Sequence, residues 1–192
     1  MIVKDIIYKV AQILSLDDVM DALDKYGLDE YSTLPNSVLR EVDLLVTSFN
    51  LVNNMIATNY VNIERVEKVM SSGFVSYIDI NDGRVILGVR KVVDSTGESV
   101  PFMLKYDGIE MPTGEYDIVY TVFPKDLSID DHISEYHCKL SDTIFVYGVA
   151  SEYLLIKGNI DDAVVYDTRF KQMLLDSTRP KHSITLPQKR FV

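Results

Sequence analysis

The sequence predicts an α+β fold: an antiparallel helical bundle carrying an inserted small antiparallel β lobe and ending in an extended C-terminal arm. Three observations predict it. Apolar residues recur at helical spacing in residues 1–59 and again in 133–178, as in amphipathic helices that share a core. Between them, residues 60–124 hold short β-branched and aromatic runs divided by closely spaced turn signals. The ending, RPKHSITLPQKRFV at 179–192, is bracketed by Pro180 and Pro187, which bar a helix there.

Each element follows in order. Ile2, Ile6, Val10 and Ile13 mark a first amphipathic helix. Ser15 is the expected N-cap of a short second one, with Asp17 and Asp18 in its first turn and Gly27 stopping it. A longer helix starts near Pro35–Ser37. Its Val38, Val42, Leu45, Phe49, Val52 and Ile56 keep an almost unbroken 4-3-4-3-4 rhythm, a bundle-type seam.

From residue 60 the pattern alternates: Val61, Ile63, then Val66 and Val69 after a slip of one. Turn signals come at Ser71-Ser72-Gly73, Asn81-Asp82-Gly83, Asp94-Ser95-Thr96-Gly97, Asp107-Gly108 and Thr113-Gly114, and the strands between them read as an antiparallel meander. Pro124 closes the lobe and residues 125–132 read as an acidic linker. The penultimate helix is expected over about 133–157, with Tyr136, Leu140, Ile144, Tyr147, Ala150 (or Ser151) and Leu154 on one face. Gly158 ends it. Asn159 caps a last helix with Ile160, Val164, Phe170 and Leu174 as buried candidates, and so tight a turn makes the two helices antiparallel neighbours. Residues 1–178 therefore read as one domain, and 179–192 as its arm.

Composition limits the function. At 47% hydrophobic, the chain can fill a core, and 192 residues suit one domain with a lobe. The net charge of −10 hides an asymmetry. Residues 179–192 hold Arg179, Lys181, Lys189 and Arg190 and no acid, which leaves 15 basic against 29 acidic residues, or −14, for 1–178. Such a body repels phosphate backbones, so sequence-specific nucleic-acid binding is not expected, although DNA could slide past it. One cysteine, Cys138, allows no internal disulfide. The N-terminal run is broken by Lys4, Asp5 and Lys9 and does not read as a signal peptide, and no stretch of 18 apolar residues could cross a bilayer. A soluble protein made in the cytoplasm is expected.

Catalytic signatures are scarce. His132, His137 and Cys138 lie close in sequence, but the last two would point about 100° apart on a helix, and no second ligand pair accompanies them. DINDG at 79–83 resembles the start of a calcium loop. Its glycine comes one place early and Arg90 stands where the twelfth-position Glu belongs, so a hairpin turn is the better reading. Asp130-Asp131 and Asp161-Asp162 suit a solvated linker and a helix N-terminus. Neither an enzyme nor a cofactor is expected. The chain has 12 Tyr and no Trp. Tyr147, Tyr153 and Tyr166, with Arg169, are the candidates for a subunit interface, since Tyr gives amphipathic contact area at low entropy cost.

The segment YGVASEYLLIKGNIDDAVVYDTRFKQMLLDSTRPK gives a Tyr-Gly-x-Ala-x-Glu-Tyr core (Tyr147, Gly148, Ala150, Glu152, Tyr153), an acidic turn, and an aromatic-Asp-x-Arg-aromatic-Lys run (Tyr166, Asp167, Arg169, Phe170, Lys171). Lys189, Arg190 and Phe191 then end a basic tail. In these parts and their order the chain resembles head-to-tail adaptor (connector) proteins of tailed bacteriophages, including those called tail tubular protein A in short-tailed phages. The match is detailed from Leu140 to Val192; the acidic segment 15–34 departs from the family. The resemblance implies a virion neck protein, made in the bacterial host cytoplasm. It implies a ring, usually dodecameric, between the portal protein above and a tail or nozzle protein below, with DNA passing through. It also implies that the C-terminal arm inserts among portal subunits, where Ile184, Leu186 and Phe191 would anchor it and Arg179, Lys181, Lys189 and Arg190 would meet acidic partners. The alternatives are a strap folded back on its own acidic body, an acidic binding module or DNA mimic, and another neck or tail-completion protein.

Overall fold

A computed structural model describes residues 1–80, 83–136 and 140–178. Asn81, Asp82, the His137-Cys138 pair with Lys139, and the whole arm lie outside that description. The fold is α+β, as the sequence predicts: among the described residues there are six α-helices and two small three-stranded antiparallel sheets.

Helices α1 (Val3–Ile13), α2 (Asp17–Asp24) and α3 (Asn36–Asn59) come first, with a 3-10 turn at Asp29–Thr33. The α3 seam is as expected: Val42, Leu45, Phe49, Val52 and Ile56 are all buried. On α1, Ile6 and Val10 are buried as expected, but the ends of the stripe differ. Val3, Ile6, Ile7, Val10 and Ala11 face inward, whereas Ile13 is 41% exposed and Ile2 bridges His132 outside the helix. Ser15 is not an N-cap. It sits at φ +57° in the link between helices, and Leu16 precedes α2 with no side-chain cap.

The acidic linker is pinned, not loose. The first N–H groups of α1, which no helix can satisfy internally, are taken up by it: Val3 donates to the Asp131 carbonyl at 3.1 Å and Lys4 to that of Ile129 at 2.8 Å. Asn50 of α3 holds Leu127 by both its amide N–H and its carbonyl.

The penultimate helix, α5 (Asp142–Ile156), starts nine residues later than its apolar spacing suggests. Ser141 is the true cap, its hydroxyl accepting from the Thr143 N–H at 3.3 Å. Tyr136 precedes the helix, and its hydroxyl donates into Asn53 on α3. Apolar nearly all round, α5 is buried against α1, α3 and α6 (Ile160–Thr178). Gly148 marks its closest approach: a Cβ there would come within 2.8 Å of Val52 and 3.0 Å of Phe170. The turn into α6 is a Schellman motif, with Gly158 at φ +82° and the Asn159 N–H reaching back to the Leu154 carbonyl. On α6, Phe170 and Leu174 are buried as expected, joined by Ala163. Ile160 (62% exposed) and Val164 (55%) are not; they face outward with Val165 and Leu175.

The β lobe is not a meander. Strands β1 (Ile63–Ser71), β3 (Ile86–Val93) and β6 (Gly114–Val122) form one sheet in the order β1-β6-β3, so the last strand lies between the two earlier ones. Its register runs from Ile63↔Val122 to Ser71↔Gly114. As the central strand, β6 buries Ile118 to Val122 on both faces. Strands β2 (Phe74–Ser76), β4 (Met103–Leu104) and β5 (Gly108–Glu110) form the second sheet, in the order β2-β5-β4. DINDG is not a hairpin turn either, because its first residues belong to a short helix, α4 (Tyr77–Ile80), that leads from one sheet to the other. The Tyr120 hydroxyl fastens α4 by donating to the Ile80 carbonyl at 2.7 Å. Val66, expected inward, is 60% exposed on edge strand β1.

Two cores result. The larger joins α1, α2, α3, α5 and α6; the smaller lies in the lobe and reaches α3 through Ala57. Between them, Glu135 takes Arg65 of β1 at 2.8 Å and Arg84 at 2.6 Å.

Candidate functional site

The arm candidates, Arg179, Lys181, Ile184, Leu186, Lys189, Arg190 and Phe191, lie outside the described residues. The other four candidates are on the α5–α6 hairpin, and the structure divides them.

Tyr147, Tyr166 and Arg169 come together. The two rings are 6.1 Å apart across the helix pair, and the Arg169 guanidinium lies over the Tyr147 ring at 5.8 Å. Both rings are half-buried and Arg169 is exposed. Small residues opposite make this approach possible: Ser151 is buried and donates to the Ala163 carbonyl at 3.1 Å, which draws α6 close to α5. The stack leaves an aromatic ridge with a cationic edge at the surface.

Tyr153 is separate. Only 4% exposed, it has no ring surface to offer a neighbouring subunit. Its hydroxyl donates to Glu41 of α3 at 2.6 Å, and Lys157 pairs with the other Glu41 oxygen. Burial and then the Glu41 carboxylate push the Tyr153 phenol far above its ordinary pKa, so it stays a neutral donor. Burial would raise Glu41 as well, but the bonds from Lys157 and Tyr153 outweigh it and hold the carboxyl below its ordinary value. On the same helix pair, burial and then nearby Asp167 push Glu152 up, against the pull of Lys171.

Sequence reasoning missed the junction residues. Glu135 and Asn53 bind lobe and bundle together through Arg65, Arg84 and Tyr136. Asn53 beside the α3 seam was the available signal, since an Asn buried at a seam must find partners.

Among the described residues no group of three or more His, Cys, Asp or Glu could hold a metal ion, and no helix is long and apolar enough to cross a membrane. What the arrangement offers is surface: a tyrosine-arginine ridge, an acidic bundle, and exposed apolar side chains on the lobe. No protein-family model matches this chain, and no curated protein matches it.

Proposed function

We propose that the chain is a ring-forming head-to-tail adaptor of a tailed bacteriophage, stacked beneath the portal around the DNA channel and joined to it by the C-terminal arm. The observation that carries this reading is a reversal of charge. A body of −14 over residues 1–178 is followed by four cations and no acid in 179–192, directly after a helical hairpin locked by Gly148 and Gly158. A rigid body that presents a basic, apolar-spotted arm is built to dock on something acidic, and an acidic body does not grip passing DNA. Together with the resemblance of the α5–α6 segment to such adaptors, this favours the neck of the virion over an enzyme or a DNA mimic. The ridge of Tyr147, Tyr166 and Arg169 is the candidate contact with the next subunit in the ring, and a tail or nozzle protein would cover the far face.

The test is co-sedimentation with assembled portal rings. The full chain should pellet with them, and deletion of residues 181–192 should abolish docking while leaving the melting temperature nearly unchanged. Lys189→Glu with Arg190→Glu should weaken docking and flatten its salt dependence, because screened ion pairs are lost. Unchanged docking by the truncated chain would sink the reading.

A further inference from the structure

One end of the bundle carries an open groove. Two adjoining cavities of about 570 and 600 Å³ share Leu16, Tyr153 and Lys157 as lining. Its floor is apolar, formed by Leu16 with the buried Tyr153 and Leu154. Its rim is acidic. Glu41 and Lys157 cancel each other in their ion pair, and Asp17, Asp18 and Asp162 remain, all exposed. Among the described residues no salt bridge involves these three. They stand in the first turns of α2 and α6, where helix dipoles balance part of their charge. The remainder faces the groove.

We propose that in the free protein this groove holds the chain's own C-terminal segment, residues 179–192. Charge is the first argument. The body holds 29 acids, and the one stretch of the chain with four cations and no acid is this segment. Chemistry is the second, because Ile184, Leu186 and Phe191 bring apolar side chains that an acidic surface alone would not accommodate. Length is the third. The segment leaves α6 at Thr178, the end opposite the groove, and 19 helical residues at about 1.5 Å each put that end roughly 28 Å away. Fourteen extended residues reach about 46–50 Å. Returning along α6 uses eight or nine of them and leaves Gln188 to Val192 for the groove. Phe191 then meets the apolar floor and Lys189 and Arg190 meet the rim. Val165 and Leu175, exposed on α6, offer apolar footing on the way.

The consequence rests on the adaptor reading only for what releases the segment. An arm stored on its own body is withheld from solvent and from other copies until an acidic partner competes for it. The two readings fail separately, because the experiment below contains no portal.

A fluorescein-labelled peptide of residues 179–192 is titrated onto the full chain and onto full-chain Lys189→Glu/Arg190→Glu, whose own arm no longer suits the groove. The variant should bind the peptide at least tenfold more tightly than wild type, and added salt should weaken that binding. Adding Asp17→Asn, Asp18→Asn and Asp162→Asn, which remove charge but keep residues suited to a helix start, should abolish it. Equal binding by wild type and variant would mean the groove is empty in the free protein and would overturn the proposal. So would no binding by either chain, or binding indifferent to the Asn changes. Sedimentation of wild type at rising concentration is the second check: a self-association that the Asn changes dissolve would give the groove to the arm of a second copy, and the proposal would fall.

Discussion

The bundle and the β lobe handle apolar surface in opposite ways. The bundle buries three phenylalanines completely, Phe49, Phe145 and Phe170, and packs α1, α3 and α6 around α5. The lobe spans about a third of the chain, residues 60–124. Yet among the described residues it supplies nine of the eighteen exposed large apolar side chains: Val66, Met70, Phe74, Ile78, Val85, Leu87, Met103, Leu104 and Tyr106. Its sheets have only three strands each, and the edges β1 and β3 are free of any described strand. A sheet that small cannot cover both of its faces. The bundle thus closes the larger core, whereas the lobe closes a smaller one that meets the bundle at Ala57 and leaves much apolar surface uncovered.

The largest expected effect comes from cutting the bundle core. Leu45→Ala or Ile144→Ala, both at 0% exposure, should each cost about 2–5 kcal/mol. Native-state hydrogen exchange should then show lost protection in bundle and lobe alike, since the lobe's smaller core rests on α3 through Ala57. Ile109→Ala, at the lobe's core, should instead expose lobe amides and spare those of α5. Equal loss in both regions from Ile109→Ala would break the comparison.

A smaller effect is expected at the junction. Glu135 accepts a hydrogen bond from Arg65 and forms an ion pair with Arg84, whose side chain is only 9% exposed. Glu135→Ala removes one charged hydrogen bond, worth about 1.5–3 kcal/mol, together with an ion pair, and leaves two guanidinium groups near each other without their shared carboxylate. Lobe amides should exchange faster while the bundle's stay slow. Thermal melting monitored separately for β and α signals should show the lobe transition moving down, and a single unchanged transition would mean that Glu135 does not join the two.

How much of this was legible follows from how local each signal is. The α3 seam could be read because its rhythm lies within one continuous helix. The start of α5 could not, because Tyr136 and Leu140 keep helical spacing with Ile144 for a non-helical reason: the Tyr136 hydroxyl is needed at Asn53, far off in sequence. Ser141-Asp142 carried the correct start signal and was outweighed by that spacing. On α6 the buried line begins at Ala163, whose small side chain gives little apolar signal beside the larger but exposed Ile160 and Val164. The lobe's turns were readable one by one, but the pairing of β1 with β6 was not, since nothing local says which strands meet. Of the candidate site, the tyrosine-arginine ridge was readable from α5 and α6. The groove was not, because five helices contribute to it.

The smallest effects, and the sharpest in sign, concern two carboxyls on the bundle side. Glu41 has its pKa lowered in the folded protein, because the bonds from Lys157 and Tyr153 overcome the effect of burial. Its stabilising contribution is present above the ordinary carboxylate value and is lost as pH falls through the lowered folded value. Glu152 is the reverse. Burial and then Asp167 raise its pKa, so the folded state holds that proton more tightly, and stability from it is lost as pH rises through the raised value. Both are partly solvated, so each substitution should move the melting temperature by only about 1–3 °C, the scale of an exposed ion pair in a chain this size. At pH 7, Glu41→Gln should melt below wild type and Glu152→Gln at or above it. Below the ordinary carboxylate range both differences should shrink, because the wild-type side chains are then neutral too. Melting curves from pH 3 to 8 decide the point. Two variants that shift in the same direction at pH 7 would mean that the two carboxyls do not lie in opposite fields.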